Sequence, residues 1–105
     1  MLLAFGYDCS ITAPDDKALR AAAQAGQTAI RPKSGTSYTI GPSCQTLYAT
    51  TGSAPDYLYA VSGAKLSYTI ELRDTGRYGF VLPASQIKDT VQETWDGVLS
   101  MLDVA

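Results

Sequence analysis

The run from Leu66 to Leu72 constrains the chain more than any other stretch. Leu66, Tyr68, Ile70 and Leu72 alternate with Ser67, Thr69 and Glu71. That two-residue period marks a strand with one face toward a core and the other on a polar lane. A lone strand leaves its backbone donors and acceptors unpaired, so it needs neighbours. With 105 residues there is room for one small domain and therefore few candidates. Leu2 to Phe5 reads as a short buried strand, and Gln45–Tyr48, inside an extended stretch over 38–48, reads as another.

Two helices complete the pattern. Pro14-Asp15-Asp16 opens one near 15–31, with Thr12 placed to cap it and the acids at the positive end of the helix dipole. Leu19, Ala22, Ala23, Gly26 and Ile30 share one of its faces, and Pro32 and Gly35 stop it. The second helix lies near 86–103, after Pro83. It is expected to turn Ile87, Val91, Trp95, Val98, Leu99 and Leu102 toward a core, with Asp89 or Thr90 capping and Glu93 closing a capping box. Strands and helices in this order predict an α/β layered arrangement. Residues 49–64, rich in Gly, Ser, Thr and Ala with Pro55 inside, form a connection longer than usual. It is either a lid or binding loop, or a plain excursion.

Composition removes several functions. The formal charge is −2 and Lys and Arg form no run, so no nucleic-acid footprint is expected. The apolar start, Met1 to Phe5, is too short for a membrane span or the apolar region of a signal peptide. There is no histidine, so imidazole serves neither as base nor as ligand. Cys9 and Cys44 are too few for a structural zinc site and are either buried thiols or one disulfide. Glu71 stands at the C-terminal end of its strand, where ligands gather in open α/β sheets. A carboxylate there acts as a general base or a metal ligand, or else pairs with Arg73 or Arg77 or is simply exposed to solvent. Arg73-Asp74 reads as an ion pair locking a turn. Tyr48 is either an aromatic packed at a strand end or a group carried on the loop that follows.

The string Thr69-Ile70-Glu71-Leu72-Arg73-Asp74-Thr75-Gly76-Arg77-Tyr78-Gly79-Phe80 closely resembles the segment around the catalytic glutamate of zinc metallocarboxypeptidases of the carboxypeptidase A/B family. The likeness continues through Val81 to Ile87 and Gln92 to Trp95. It is also found at Leu2 to Tyr7, Gly35 to Tyr38 and Leu47-Tyr48. The resemblance implies that these residues form the C-terminal part of a mixed-sheet, three-layer catalytic domain, and that the family's zinc ligands lie upstream. Zinc then belongs to the full-length enzyme and none is bound by this chain alone. The chain would need the N-terminal part of the domain and is expected to be inactive without it.

By the same resemblance Glu71 is the general base, and Tyr48 is the mobile tyrosine that closes over the C-terminal residue of a peptide or protein substrate. Leu47, Pro55 and Thr69 line the pocket for that residue's side chain. Pro55 carries no charge, which implies a non-basic side chain, while Asp56 matches a neighbouring family aspartate. Cys9 and Cys44 are implied to be disulfide-bonded, and the parent enzyme to be extracellular. Two other readings stand beside this one: a non-catalytic module that binds peptides or a partner, and a truncated, inactive product.

Overall fold

The computed structural model describes all 105 residues. The order is β1 (Leu2–Leu3), α1 (Asp16–Ser34), β2 (Gly41–Pro42), α2 (Ser43–Thr46), α3 (Ala54–Ala60), β3 (Tyr68–Thr69) and α4 (Ile87–Asp103), with a 3-10 turn at Ala84–Gln86 leading into α4. The strands form one mixed sheet in the order β2-β1-β3. β1 runs parallel to β2, with Leu2 opposite Gly41, and antiparallel to β3, with Leu2 opposite Thr69 and Leu3 opposite Tyr68. The α/β class expected from the sequence is the class observed. Only Tyr68–Thr69 of the 66–72 alternation is laddered, because the strand beside it is itself just Leu2–Leu3.

α1 follows its periodicity closely: Leu19, Ala22, Ala23, Gly26 and Ile30 are its buried residues. They pack under β1, where Met1, Ala22, Ala23, Ile30 and Met101 form one cluster and Leu3, Ala4, Phe5, Ala13 and Leu19 another. Tyr68 spans the layers. Its hydroxyl donates to the Leu19 carbonyl at 2.8 Å, and burial pushes its pKa up to about 12. The helix ends differ from expectation. Asp15, not Thr12, holds the N-cap position, and its side chain accepts no capping hydrogen bond. Pro32 lies inside the last turn, and the stop comes at Gly35, whose φ of 71° is the left-handed cap conformation and whose N–H reaches the Arg31 carbonyl.

Three further expectations are corrected. Gln45–Tyr48 is no strand: Ser43–Thr46 make one helical turn, closed by the Leu47 N–H on the Ser43 carbonyl at 2.9 Å, and the strand lies just before it at Gly41–Pro42. The 49–64 connection is not all loop, because α3 occupies Ala54–Ala60. The Ser53 side chain accepts from the Asp56 N–H, and Pro55 sits in the first turn, where its missing N–H costs nothing.

The third correction concerns α4. Its buried residues are Thr90, Glu93, Gly97 and Met101, whereas Ile87, Val91, Trp95, Leu99 and Leu102 are exposed. α4 packs antiparallel on α1 through glycine. A Cβ built at Gly97 would lie 2.7 Å from Ile30 Cδ1, and one at Gly26 would lie 2.7 Å from Met101 Cγ. Small residues let the two backbones meet, and that close approach selects the narrow stripe over the bulky apolar one. Ser100 donating to the Ala25 carbonyl at 3.2 Å and the Lys33–Asp96 ion pair fasten the same contact. Neither Asp89 nor Thr90 caps the helix, and the capping box with Glu93 does not form. Thr90 Oγ1 instead donates to the Gln86 carbonyl, and Glu93 turns to Arg73.

Gly97→Ala is expected to destabilise the chain by about 1–3 kcal/mol, the usual cost of overpacking, although alanine is the better helix former. A urea unfolding series on the two proteins reads this directly. A gain in stability would mean that the α1–α4 contact is looser than described.

Candidate functional site

Beyond β3 the chain continues through Ile70 to Glu71, whose side chain is exposed. The ion pairs of the chain are Arg20–Asp16, Lys33–Asp96 and Arg73–Glu93. None includes Glu71, and its carboxylate accepts no hydrogen bond. Neither arginine that could have claimed it does so: Arg73 is held by Glu93 at 3.0 Å, and Arg77 lies over the Tyr78 ring, 5.4 Å from its centroid. Asp74 is not the partner of Arg73. Its carboxylate accepts from the backbone N–H of Gly76 at 2.7 Å and of Tyr78 at 3.3 Å, folding the turn on its own. The nearby Met1 α-amino group is lowered from its ordinary pKa by burial, with the Glu71 charge pulling the other way.

A cavity of about 180 Å³ brings Glu71 together with Leu47, Tyr48, Pro55 and Thr69, the five residues singled out for substrate chemistry from sequence. They arrive from three parts of the chain: the exit of α2, the first turn of α3, and β3 with its extension. Tyr48 is 67% exposed and its hydroxyl has no hydrogen-bond partner. Glu71 also borders two further cavities, of about 270 and 410 Å³, on its Arg73 side.

The wall carrying Tyr48 is stitched to the end of β1. The Cys44 N–H donates to the Phe5 carbonyl at 3.1 Å and the Thr50 N–H to the Gly6 carbonyl at 2.8 Å. Cys9 and Cys44 form a disulfide, with Cα atoms 5.0 Å apart, and the Gln45 side chain donates to the Cys9 carbonyl. Asp56 completes the seam by accepting the Gly6 N–H with both oxygens at 3.0 Å and the Tyr7 N–H at 3.2 Å. Sequence reasoning missed this clamp. The available signal was Ser53-Ala54-Pro55-Asp56, a helix start with proline in the first turn and an acid three residues after the cap. Glu93 was also misplaced. Its signal was the spacing Thr90, Glu93, Gly97, Met101, a helical stripe too polar to have been read as buried.

No group of three or more His, Cys, Asp or Glu side chains is arranged to hold a metal ion, and no helix is long and apolar enough to cross a membrane.

A sequence model of the zinc carboxypeptidase family matches residues 1–97. Among the relatives are a metallocarboxypeptidase A-like protein of Trichophyton verrucosum, 42% identical over 97 residues, covering 92% of this chain and 23% of that protein, and carboxypeptidase A1 of Bos taurus, 45% identical over 103 residues, covering 98% and 24%. Carboxypeptidase A4 of Mus musculus is 44% identical over 103 residues, covering 97% and 24%. The chain thus spans about a quarter of the length of the curated relatives it matches. Matched over nearly all its residues and built as a mixed-sheet α/β fold, it belongs to the zinc carboxypeptidase family.

Proposed function

We propose that this chain is the part of a secreted zinc carboxypeptidase catalytic domain that supplies the general base, the closing aromatic and the side-chain pocket. The observation that carries the reading is the cavity shared by Glu71, Tyr48, Leu47, Pro55 and Thr69, into which Glu71 brings a carboxylate with no ion pair. Such a group accepts a proton from the attacking water as its oxygen bonds to the scissile carbonyl carbon. It then returns the proton to the leaving amine nitrogen as the C–N bond breaks. The Tyr48 ring closes over the substrate's last residue, its phenol donating to the terminal carboxylate and its face excluding water.

The pocket favours a non-basic side chain. Pro55, Leu47 and Thr69 bring no charge, and Asp56, which also lines the cavity, has its carboxylate oxygens taken up by the Gly6 and Tyr7 N–H groups.

The residues of this chain do not fit the zinc for which the family is named. There is no histidine, both cysteines are in the disulfide, and Glu71 stands without a second ligand. We therefore place the metal ligands in polypeptide outside these residues. The uncovered apolar face of α4, with Trp95 58% exposed, supports the same view: the remainder of the domain packs there.

The test is a chimera in which this chain replaces the matching segment of the Trichophyton verrucosum relative. The chain alone is expected to leave a peptide with a free C-terminus intact, with or without added zinc. The chimera is expected to release the last residue, and a chelator to stop it. A chimera that folds and loads zinc yet cleaves nothing sinks the reading.

A further inference from the structure

Arg73 follows Glu71 by two residues. Both line the same two cavities. A guanidinium in that position is a ready partner for Glu71, but it is turned the other way. Arg73 Nε donates to Thr90 Oγ1 at 3.0 Å and lies 3.0 Å from Glu93 Oε1. The Glu93 side chain is 2% exposed. Neither of its oxygens meets a donor in hydrogen-bonding alignment, and Arg73 Nη2 is likewise buried without a partner. A buried carboxylate is costly unless a charge faces it, so Glu93 requires Arg73 more strongly than an exposed Glu71 would.

The other charged groups nearby are spoken for or peripheral: the Met1 ammonium feels the Glu71 charge but donates its hydrogen bond to the Thr39 carbonyl. Lys33 pairs with Asp96, Asp74 is folded into its turn, and Asp89 lines the polar cavity beside Glu93. The Tyr38 hydroxyl is buried close by without a partner. Its pKa is raised first by burial, then by Glu93, with Arg73 opposing.

We propose that Glu93 is a positioning residue: it sequesters the Arg73 guanidinium on α4, and so leaves Glu71 an unclaimed carboxylate facing the Tyr48 cavity. Its meaning for catalysis rests on Glu71 being the base; the sequestration itself does not. Without Glu93, Arg73 swings to Glu71 and ties up the lone pairs a base needs.

The test uses the 105-residue chain with labelled glutamate, reading the Glu71 carboxyl carbon and the Arg73 Nε resonance by NMR at neutral pH. Glu93→Gln is expected to move both signals. Adding Arg73→Met to Glu93→Gln is expected to return the Glu71 signal to its wild-type position, a reversal that a merely structural role for Glu93 does not produce. Should Glu93→Gln not fold, Glu93→Asp replaces it: the charge retreats by one methylene and the Glu71 signal moves the same way by less. A Glu71 signal indifferent to either folded variant, or one that Arg73→Met fails to restore, overturns the proposal. Because no turnover is measured, failure of the chimera to cleave peptides leaves this outcome independently readable.

Discussion

Glu71→Gln in the zinc-loaded chimera is expected to lower kcat by about 10²- to 10⁴-fold, the range supplied by a positioned proton-transfer group, with KM little changed. Glutamine keeps the size and the hydrogen-bonding carbonyl of glutamate but cannot take a proton. If the carboxylate acts on the water in the transition state, its loss appears in kcat and kcat/KM together, not in ground-state binding. The structure adds two controls. Glu71 is exposed and belongs to none of the ion pairs, so the substitution should change stability by no more than about 0.5 kcal/mol. A base also differs from a ligand in what its loss does to the metal. Bound zinc, measured by elemental analysis of the dialysed protein, should be the same in both proteins. Loss of zinc in the variant would recast Glu71 as a ligand, and an unchanged kcat would remove it from the chemistry altogether.

The parts of this arrangement that could be read beforehand are those set by local rules. α1 showed its buried face in full, because Leu19, Ala22, Ala23, Gly26 and Ile30 repeat at helical spacing against a core the chain itself provides. The five residues that share the cavity were named through a resemblance, not through spacing, since Leu47 and Thr69 lie far apart in sequence and are brought near each other by β2 and β3 flanking β1. α4 misled for a physical reason. Its bulky apolar stripe is the strongest periodic signal it has, but the helix packs on α1 by the stripe that lets two glycines approach. Hydrophobic periodicity reports which face avoids water and not which neighbour covers it. A helix with two buriable faces is ambiguous on periodicity alone. Short elements were lost differently. Ser43–Thr46 is one turn long, below the length at which periodicity carries information, and Ala54–Ala60 was announced only by its cap.

Removing the Cys9–Cys44 disulfide, by Cys9→Ser with Cys44→Ser, is expected to lower the melting temperature by about 15–25 °C. The bond closes a loop of 35 residues, for which loop-closure entropy gives about 4 kcal/mol. In a domain of this size each kcal/mol is worth about 4–8 °C, and the upper end of the product is lowered because the reduced, unfolded chain retains residual structure. Backbone bonds across the same seam decide where the effect appears. Cys44 to Phe5, Thr50 to Gly6 and the Asp56 clamp on Gly6 and Tyr7 already fix the native geometry around Tyr48. The lost stability should therefore reside mainly in a freer unfolded chain. Amide exchange of Gly6 and Thr50 should rise only in step with global unfolding, not ahead of it. Early exchange at those two amides would mean that the disulfide itself holds the Tyr48 wall, and an unchanged melting temperature would deny it any structural role. The bond is open to attack from one side only, since Cys44 is 3% exposed whereas Cys9 lies at the surface. A thiol reductant must approach through Cys9. Against total stabilities of about 5–15 kcal/mol, a loss of this size leaves little margin, and on the proposed reading that dependence suits an enzyme working in an oxidising, extracellular setting.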